Sequence, residues 1–172
     1  MNYYIFRHGE TFATKGHTEY GDKILSASTL PEGIPVTKRL AEYLKNIQTD
    51  FNVRSELLRV EQTAEIITKI TEKKFETDAR LNDTMVAPKE LKDVYPHTET
   101  KDEFITRIKS FLTDLQSKPY ETVLIGTHGG VIAALKHLVV NGEFDYHSIM
   151  DIPKPGVLTI IKDGEIEEID FN

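Results

Sequence analysis

The chain has 172 residues, 39% of them apolar, a formal net charge of −7 at pH 7 and no cysteine, a length that suits one domain burying roughly two-thirds of its unfolded surface. Without cysteine there are no disulfides, thiolate metal sites or cysteine catalysis, and the acidic balance argues against a broad nucleic-acid or anionic-membrane surface, which needs clustered Lys and Arg. No stretch approaches the roughly 20 apolar residues of a membrane span, and the apolar start at Tyr3 lacks the basic flank of a signal peptide, so a soluble, cytoplasmic protein is expected.

The first apolar run, Tyr3-Tyr4-Ile5-Phe6, predicts a strand over 2–7 that empties into Arg7-His8-Gly9-Glu10-Thr11. Val36, Leu40, Tyr43, Leu44 and Ile47 recur at helical spacing behind Pro35, which suits a first turn. A second amphipathic helix is expected over 61–72 through Ala64, Ile67 and Ile70, followed by a weaker strand near 74–78. Thr100 and Glu103 form a capping box that opens a third helix bearing Phe104, Ile108, Phe111, Leu112 and Leu115. Val123-Leu124-Ile125 predicts a strand over 121–126 that runs into Gly126-Thr127-His128-Gly129-Gly130 and a fourth helix, which stops near Asn141-Gly142. The last strands flank Asp163-Gly164, a hairpin signal after 157–162, so the chain closes with an antiparallel edge. The alternation elsewhere implies a mostly parallel α/β sheet with helices on both sides.

In open α/β sheets ligands collect outside the carboxyl ends of the strands. His8 and His128 both follow predicted strands, each with a glycine behind it, and His8 has an arginine in front. Either histidine alone reads as structural. Together they suggest one shared pocket, with His8 a candidate nucleophile and the adjacent glycines letting backbone approach a ligand. His17, His97, His137 and His147 share no ligand-type spacing, and surface or structural roles suit them better.

Arg7-His8-Gly9-Glu10-Thr11 resembles the signature of the histidine phosphatase superfamily, which includes the cofactor-dependent phosphoglycerate mutases and many small phosphatases. Ser55-Glu56-Leu57-Leu58-Arg59-Val60-Glu61-Gln62-Thr63-Ala64 looks like its second arginine motif, Arg80-Leu81-Asn82-Asp83 like its acid motif with Asp for the usual Glu, and Gly126-Thr127-His128-Gly129-Gly130 like its second-histidine motif. The four fall in the family's order and cover nearly the whole chain. The resemblance implies a single domain over 1–172, a three-layer α/β/α sandwich, a phosphohistidine intermediate on His8, and neither metal nor other cofactor.

A transferring phosphoryl group keeps charge on three equatorial oxygens, so fixed positive donors are the main requirement. The resemblance assigns phosphate binding to Arg7, Arg59 and His128, nucleophilic attack to His8 and proton transfer to Asp83, with Glu10, Thr11 and Gly129 as secondary site residues. Arginine forks can grip two oxygens each. Asp83 is one methylene shorter than Glu, which leaves Glu10 as an alternative acid, and Thr14 stands where many relatives carry a phosphate-donating Asn. Read without the motif, Arg59 is a solvated helix-start residue and Asp83 a turn residue.

Little chain between Asp83 and His128 remains for a lid, and no extended tail is expected, so an exposed phosphohistidine would meet water. The leading reading is therefore a phosphatase of the histidine acid type acting on a small phosphate monoester. A phosphohistidine-protein phosphatase acting on a phosphoprotein, a phosphoglycerate mutase and a non-catalytic phosphate-binding module are the alternatives. Phe12, Tyr20, Met85 and Tyr95 either line a specificity wall or fold back on the core.

Overall fold

The computed structural model describes residues 1–94, 97–145 and 151–172; Tyr95 and His147, singled out above, lie outside them. In chain order the elements are β1 (Asn2–Arg7), α1 (Phe12–Gly16), α2 (Ile34–Leu44), β2 (Phe51–Arg54), α3 (Leu58–Thr71), β3 (Glu76–Thr77), β4 (Met85–Val86), β5 (Thr98–Glu99), α4 (Lys101–Gln116), β6 (Thr122–Thr127), α5 (Gly129–Asn141), β7 (Val157–Lys162) and β8 (Glu165–Asp170). Six strands form one sheet in the order β3-β2-β6-β1-β7-β8. The first four run parallel, whereas β7 is antiparallel to β1 and β8 antiparallel to β7. The expected mostly parallel sheet with an antiparallel C-terminal edge is what forms.

Alternation along the strands sorts the core into two layers. Tyr3 and Ile5 of β1, Val53 of β2 and Val123 and Ile125 of β6 face α4 and α5, where they pack with Phe104, Ile108, Phe111, Val131 and Leu135. Phe6 and Leu124 point the other way, against Leu40 and Leu44 of α2 and Ala64 and Ile67 of α3. Side chains in a strand alternate between faces, so one set of strands supplies both layers of an α/β/α sandwich. The outer strand β8 is almost wholly exposed and carries Glu165, Glu167 and Glu168, charges that discourage further strand pairing.

The helix ends follow their sequence signals. Thr100 caps α4 through the predicted box with Glu103, and Gly142 ends α5 with φ 76°. At the β7–β8 hairpin Asp163 and Gly164 take φ of 53° and 80°, as a primed turn requires. Several boundaries differ from the sequence expectation. Helix α3 begins at Leu58 rather than near 61, because Arg59 and Val60 in its first turn are already fully buried. Helix α2 ends at Leu44, the third strand shrinks to Glu76–Thr77, and β6 is shifted one residue, to Thr122–Thr127. Strand β2 carried no clear signal: of its four residues only Val53 is buried, and its identity comes from pairing with β6.

Candidate active site

Strands β1 and β6 are parallel neighbours in register, Arg7 opposite Thr127, so the two chains leave the sheet side by side. His8 and His128 are the next residues, both 1% exposed, and their rings lie 5.3 Å apart between centroids. The sheet thereby brings together the two strand-end histidines expected to share a pocket.

The hydrogen bonds of each histidine fix its tautomer. His8 Nδ1 lies 2.8 Å from the carbonyl of Gly9, which can only accept, so Nδ1 carries the proton and Nε2 presents a lone pair. The Tyr20 hydroxyl stands 3.4 Å from that Nε2. On the other side, the Glu56 main-chain N–H donates to Asn82 Oδ1 at 2.9 Å and Asn82 Nδ2 donates to Glu56, which sets the amide orientation. The Ser55 hydroxyl then gives its proton to Asn82 Oδ1 at 2.8 Å, and its oxygen must accept from His128 Nε2, also at 2.8 Å. His128 Nδ1 is left facing the site without a partner.

Burial pushes both histidines well below the usual imidazole range, helped by the charges of Arg7 and Arg59, so both rings are neutral. For His8 that is the nucleophilic form. For His128 it means that donation from Nδ1 to a bound oxygen requires a proton arriving with, or drawn in by, an anion.

Arg59 is fully buried, at the start of α3. Its Nη1 donates to the Ile24 carbonyl at 2.6 Å, its Nη2 to Asp83 Oδ2 at 2.9 Å, and the Tyr20 ring lies 4.1 Å from the guanidinium carbon. Arg7 Nη1 donates to the Pro153 carbonyl at 2.9 Å. The forks are therefore not wholly free, contrary to the simple expectation of two oxygens each: protein acceptors take part of both. Arg7 Nε, Arg59 Nε and His128 Nδ1 are the buried side-chain polar atoms left without a partner among the described residues, and all three belong to this cluster. Such groups are costly to bury unpaired; the two arginine Nε–H groups are donors that an anion would complete, and His128 Nδ1 becomes a third once that ring is protonated.

Asp83 Oδ2 also lies 3.9 Å from His128 Nδ1. Burial raises the Asp83 carboxyl above the usual carboxylate range even though Arg59, Arg7 and Arg107 all oppose the rise. Its side chain keeps a quarter of its surface open, which leaves a path for exchange. Gly129, first residue of α5, is pressed against Arg7: a Cβ there would lie 3.0 Å from the guanidinium carbon and 2.4 Å from Ile152 Cγ2, so glycine lets the arginine lie across the helix start.

The secondary residues are placed unequally. Thr11 caps α1, and its hydroxyl meets Tyr20 Oη at 2.9 Å. Thr14 sends its hydroxyl proton to the Thr11 carbonyl at 3.2 Å. Glu10 lines a neighbouring cavity of about 230 Å³ with Lys15, Glu32 and Gly33. Among the described residues no hydrogen bond or ion pair joins its side chain to His8, Asp83 or either arginine. Phe12 is 40% exposed and stacks edge-on with Tyr20, and Met85 is half-buried in β4. Ser55 and Asn82 sat inside recognised motifs with no role assigned from sequence; Tyr20, offered there as a specificity-wall or core residue, lies over Arg59 with its hydroxyl 3.4 Å from His8.

A sequence profile of the histidine phosphatase superfamily, branch 1, matches residues 3–92. A Hydrogenobacter thermophilus protein named "Putative phosphoserine phosphatase 2" is 31% identical over 75 residues, 44% of this chain, and the match spans 37% of that protein's length. The alpha-ribazole phosphatase from Shigella flexneri superposes with a TM-score of 0.78 at 19% identity, covering 99% of this chain and 95% of that one. The mycobacterial glucosyl-3-phosphoglycerate phosphatase complexed with VO3 gives a TM-score of 0.76 at 19% identity, covering 98% and 96%. The two strand-end histidines, the paired arginines and a profile matched over just over half of the sequence lead to one conclusion: this chain belongs to the histidine phosphatase superfamily.

Proposed function

We propose that the protein hydrolyses a small phosphate monoester through a phosphohistidine on His8. The observation that carries this reading is the pairing of a tautomer-fixed, neutral Nε2 on His8 with three unpartnered buried nitrogens on Arg7, Arg59 and His128. A nucleophile faces a cationic anion site, as in-line phosphoryl transfer needs. The phosphatase names borne by the relatives support the same class.

In this reading the His8 Nε2 lone pair forms a bond to phosphorus as the P–O ester bond breaks. Asp83, whose pKa burial raises, gives its proton to the departing alkoxide. Water then attacks the phosphohistidine, Asp83 recovers a proton from it, and the P–N bond breaks to release inorganic phosphate. Arg7, Arg59 and protonated His128 hold the charge of the equatorial oxygens throughout.

The test is hydrolysis of p-nitrophenyl phosphate in EDTA by wild type and His8→Ala, with acid- and alkali-quench trapping of labelled enzyme. Turnover in wild type only, with an acid-labile, alkali-stable label, is the expected result. Full activity in His8→Ala would overturn the covalent mechanism.

A further inference from the structure

Helix α5 is apolar through its middle, where Val131, Ile132, Ala133, Ala134, Leu135 and Leu138 are all buried. Lys136 interrupts that run and is buried with it, at 3% exposure. An ammonium in such surroundings is costly, and packing alone would be served as well by a methionine. Two carboxylates answer the charge: Asp151 at 2.7 Å and Glu168 of β8 at 2.8 Å. Burial works against the ammonium, yet these partners hold its pKa above the ordinary lysine value. His137 Nε2 stands farther from the same Asp151 oxygen, at 3.9 Å.

The two carboxylates lead to different places. Glu168 belongs to the sheet edge, and its Oε1 also lies 3.4 Å from the Thr159 hydroxyl of β7. Asp151 opens a short stretch that runs to the phosphoryl site. Its neighbour Ile152 lies over Gly129 at the start of α5, where an added Cβ would come within 2.4 Å of Ile152 Cγ2. The next residue, Pro153, offers its carbonyl to Arg7 Nη1 at 2.9 Å. Gly129 and Lys136 are seven residues apart and share one face of the helix, and a helical lysine reaches back toward the N-terminus. Residues 151–153 therefore lie along the face of α5 that ends at Arg7. Farther on, the carbonyls of Pro155 and Gly156 accept from Asn172 and Phe171, so the stretch is fastened on both sides of Pro153. Among the described residues the Pro153 carbonyl is the one hydrogen-bond acceptor of the Arg7 side chain, whose buried Nε is left to face the site.

We propose that Lys136 is a positioning residue for the anion site: by holding Asp151 it sets the Pro153 carbonyl against Arg7 and so aims that guanidinium at the phosphate. The proposal rests on the part of the phosphatase reading that makes Arg7 a phosphate ligand. Groups behind a binding side chain act by limiting the geometries it can adopt, so the loss is read as weaker binding of the anion.

The experiment titrates inorganic phosphate by calorimetry into wild type, Lys136→Met, Asp151→Ala, the double variant and Glu168→Gln, with melting temperatures beside it. Lys136→Met and Asp151→Ala should each raise the phosphate Kd about tenfold, the size of one charge-assisted hydrogen bond. The double variant should lose no more than either single one, because the two act through one another. Glu168→Gln leaves Lys136 its pair with Asp151, so it should lower the melting temperature while the Kd stays within about twofold of wild type, the additive behaviour of a distant site. A merely structural lysine would make the Glu168 and Asp151 variants alike, which overturns the proposal, as does an unchanged Kd in Asp151→Ala. That variant alters an exposed side chain and leaves Lys136 paired with Glu168, so it decides the matter even where Lys136→Met does not fold.

Turnover of p-nitrophenyl phosphate by the same proteins separates the two readings. Weakened phosphate binding in Asp151→Ala, without turnover by wild type, sinks the phosphatase and keeps the positioning role. Turnover by wild type with equal Kd values throughout does the reverse, and a wild type that binds no phosphate overturns both.

Discussion

The carboxyl of Asp83 reaches Arg59 at 2.9 Å and stands 3.9 Å from His128, so the methylene it lacks relative to Glu does not take it out of the cluster. Its raised pKa keeps it protonated further into the working range than an ordinary aspartate, and a general acid must start protonated. Replacing it by Asn removes that proton and leaves the shape. Asp83→Asn should lower kcat by about 10²–10⁴-fold on alkyl phosphates and far less on p-nitrophenyl phosphate, whose leaving group needs no proton. The alkaline fall in wild-type activity on alkyl esters, as Asp83 ionises, should disappear in the variant. Equal losses on both ester types would move the acid role to another residue.

At the level of elements, the loop that carries Asp83 is fastened on every side. Thr127 at the end of β6 donates to the Leu81 carbonyl at 2.7 Å, Asn82 is held by Ser55 and Glu56, and Arg107 of α4 donates to the Arg80 carbonyl and, at 3.1 Å, to Thr84. Glu99 pairs with the same guanidinium at 2.6 Å. Arg107→Ala should therefore lower kcat several-fold and cost about 1–2 kcal/mol of stability, since a mostly buried ion pair loses one partner. Thermal melts beside steady-state rates on alkyl phosphates check both. An unchanged kcat would show that the remaining fastenings suffice. These clamps explain what the sequence could and could not convey. Strand ends bearing His8 and His128, and the capping box at Thr100, announce themselves through local pattern. Strand β2 does not, because Asn52 and Arg54 break the apolar run and only its neighbours make it a strand. Tyr20 is equally silent: its position over Arg59 is created by contacts with Thr11 and Phe12 that no spacing rule connects to the α3 arginine.

For the molecule as a whole, two buried neutral histidines set the acid limit of folding. An unfolded histidine takes up its proton near pH 6.5, whereas His8 and His128 in the fold refuse theirs until well below that. Below about pH 6.5 the unfolded chain binds more protons, so stability falls as pH falls, by up to about 1.4 kcal/mol per pH unit for each ring. Asp83 acts in the opposite sense. Its folded pKa is raised, so between that value and its unfolded value the native state binds the extra proton and recovers part of the loss on acidification. Melting temperatures measured in phosphate-free buffer from pH 7.5 down to 5 should decline, and the decline should flatten in His8→Asn/His128→Asn. A flat wild-type profile would mean that the fold does not hold the rings back from protonation.

The threefold attachment of Arg59, to the Ile24 carbonyl, to Asp83 and beneath Tyr20, has a bearing on how such a chain can change over generations. A substitution there unfastens segments far apart in sequence, so it is removed for lost foldedness before any loss of chemistry can be tested. His8 is less entangled, since its short tether is the carbonyl of the very next residue and its other ring nitrogen meets only the Tyr20 hydroxyl, at 3.4 Å. The open route from a catalyst to a silent phosphate receptor therefore runs through His8, and descendants that have abandoned turnover should still carry the arginine.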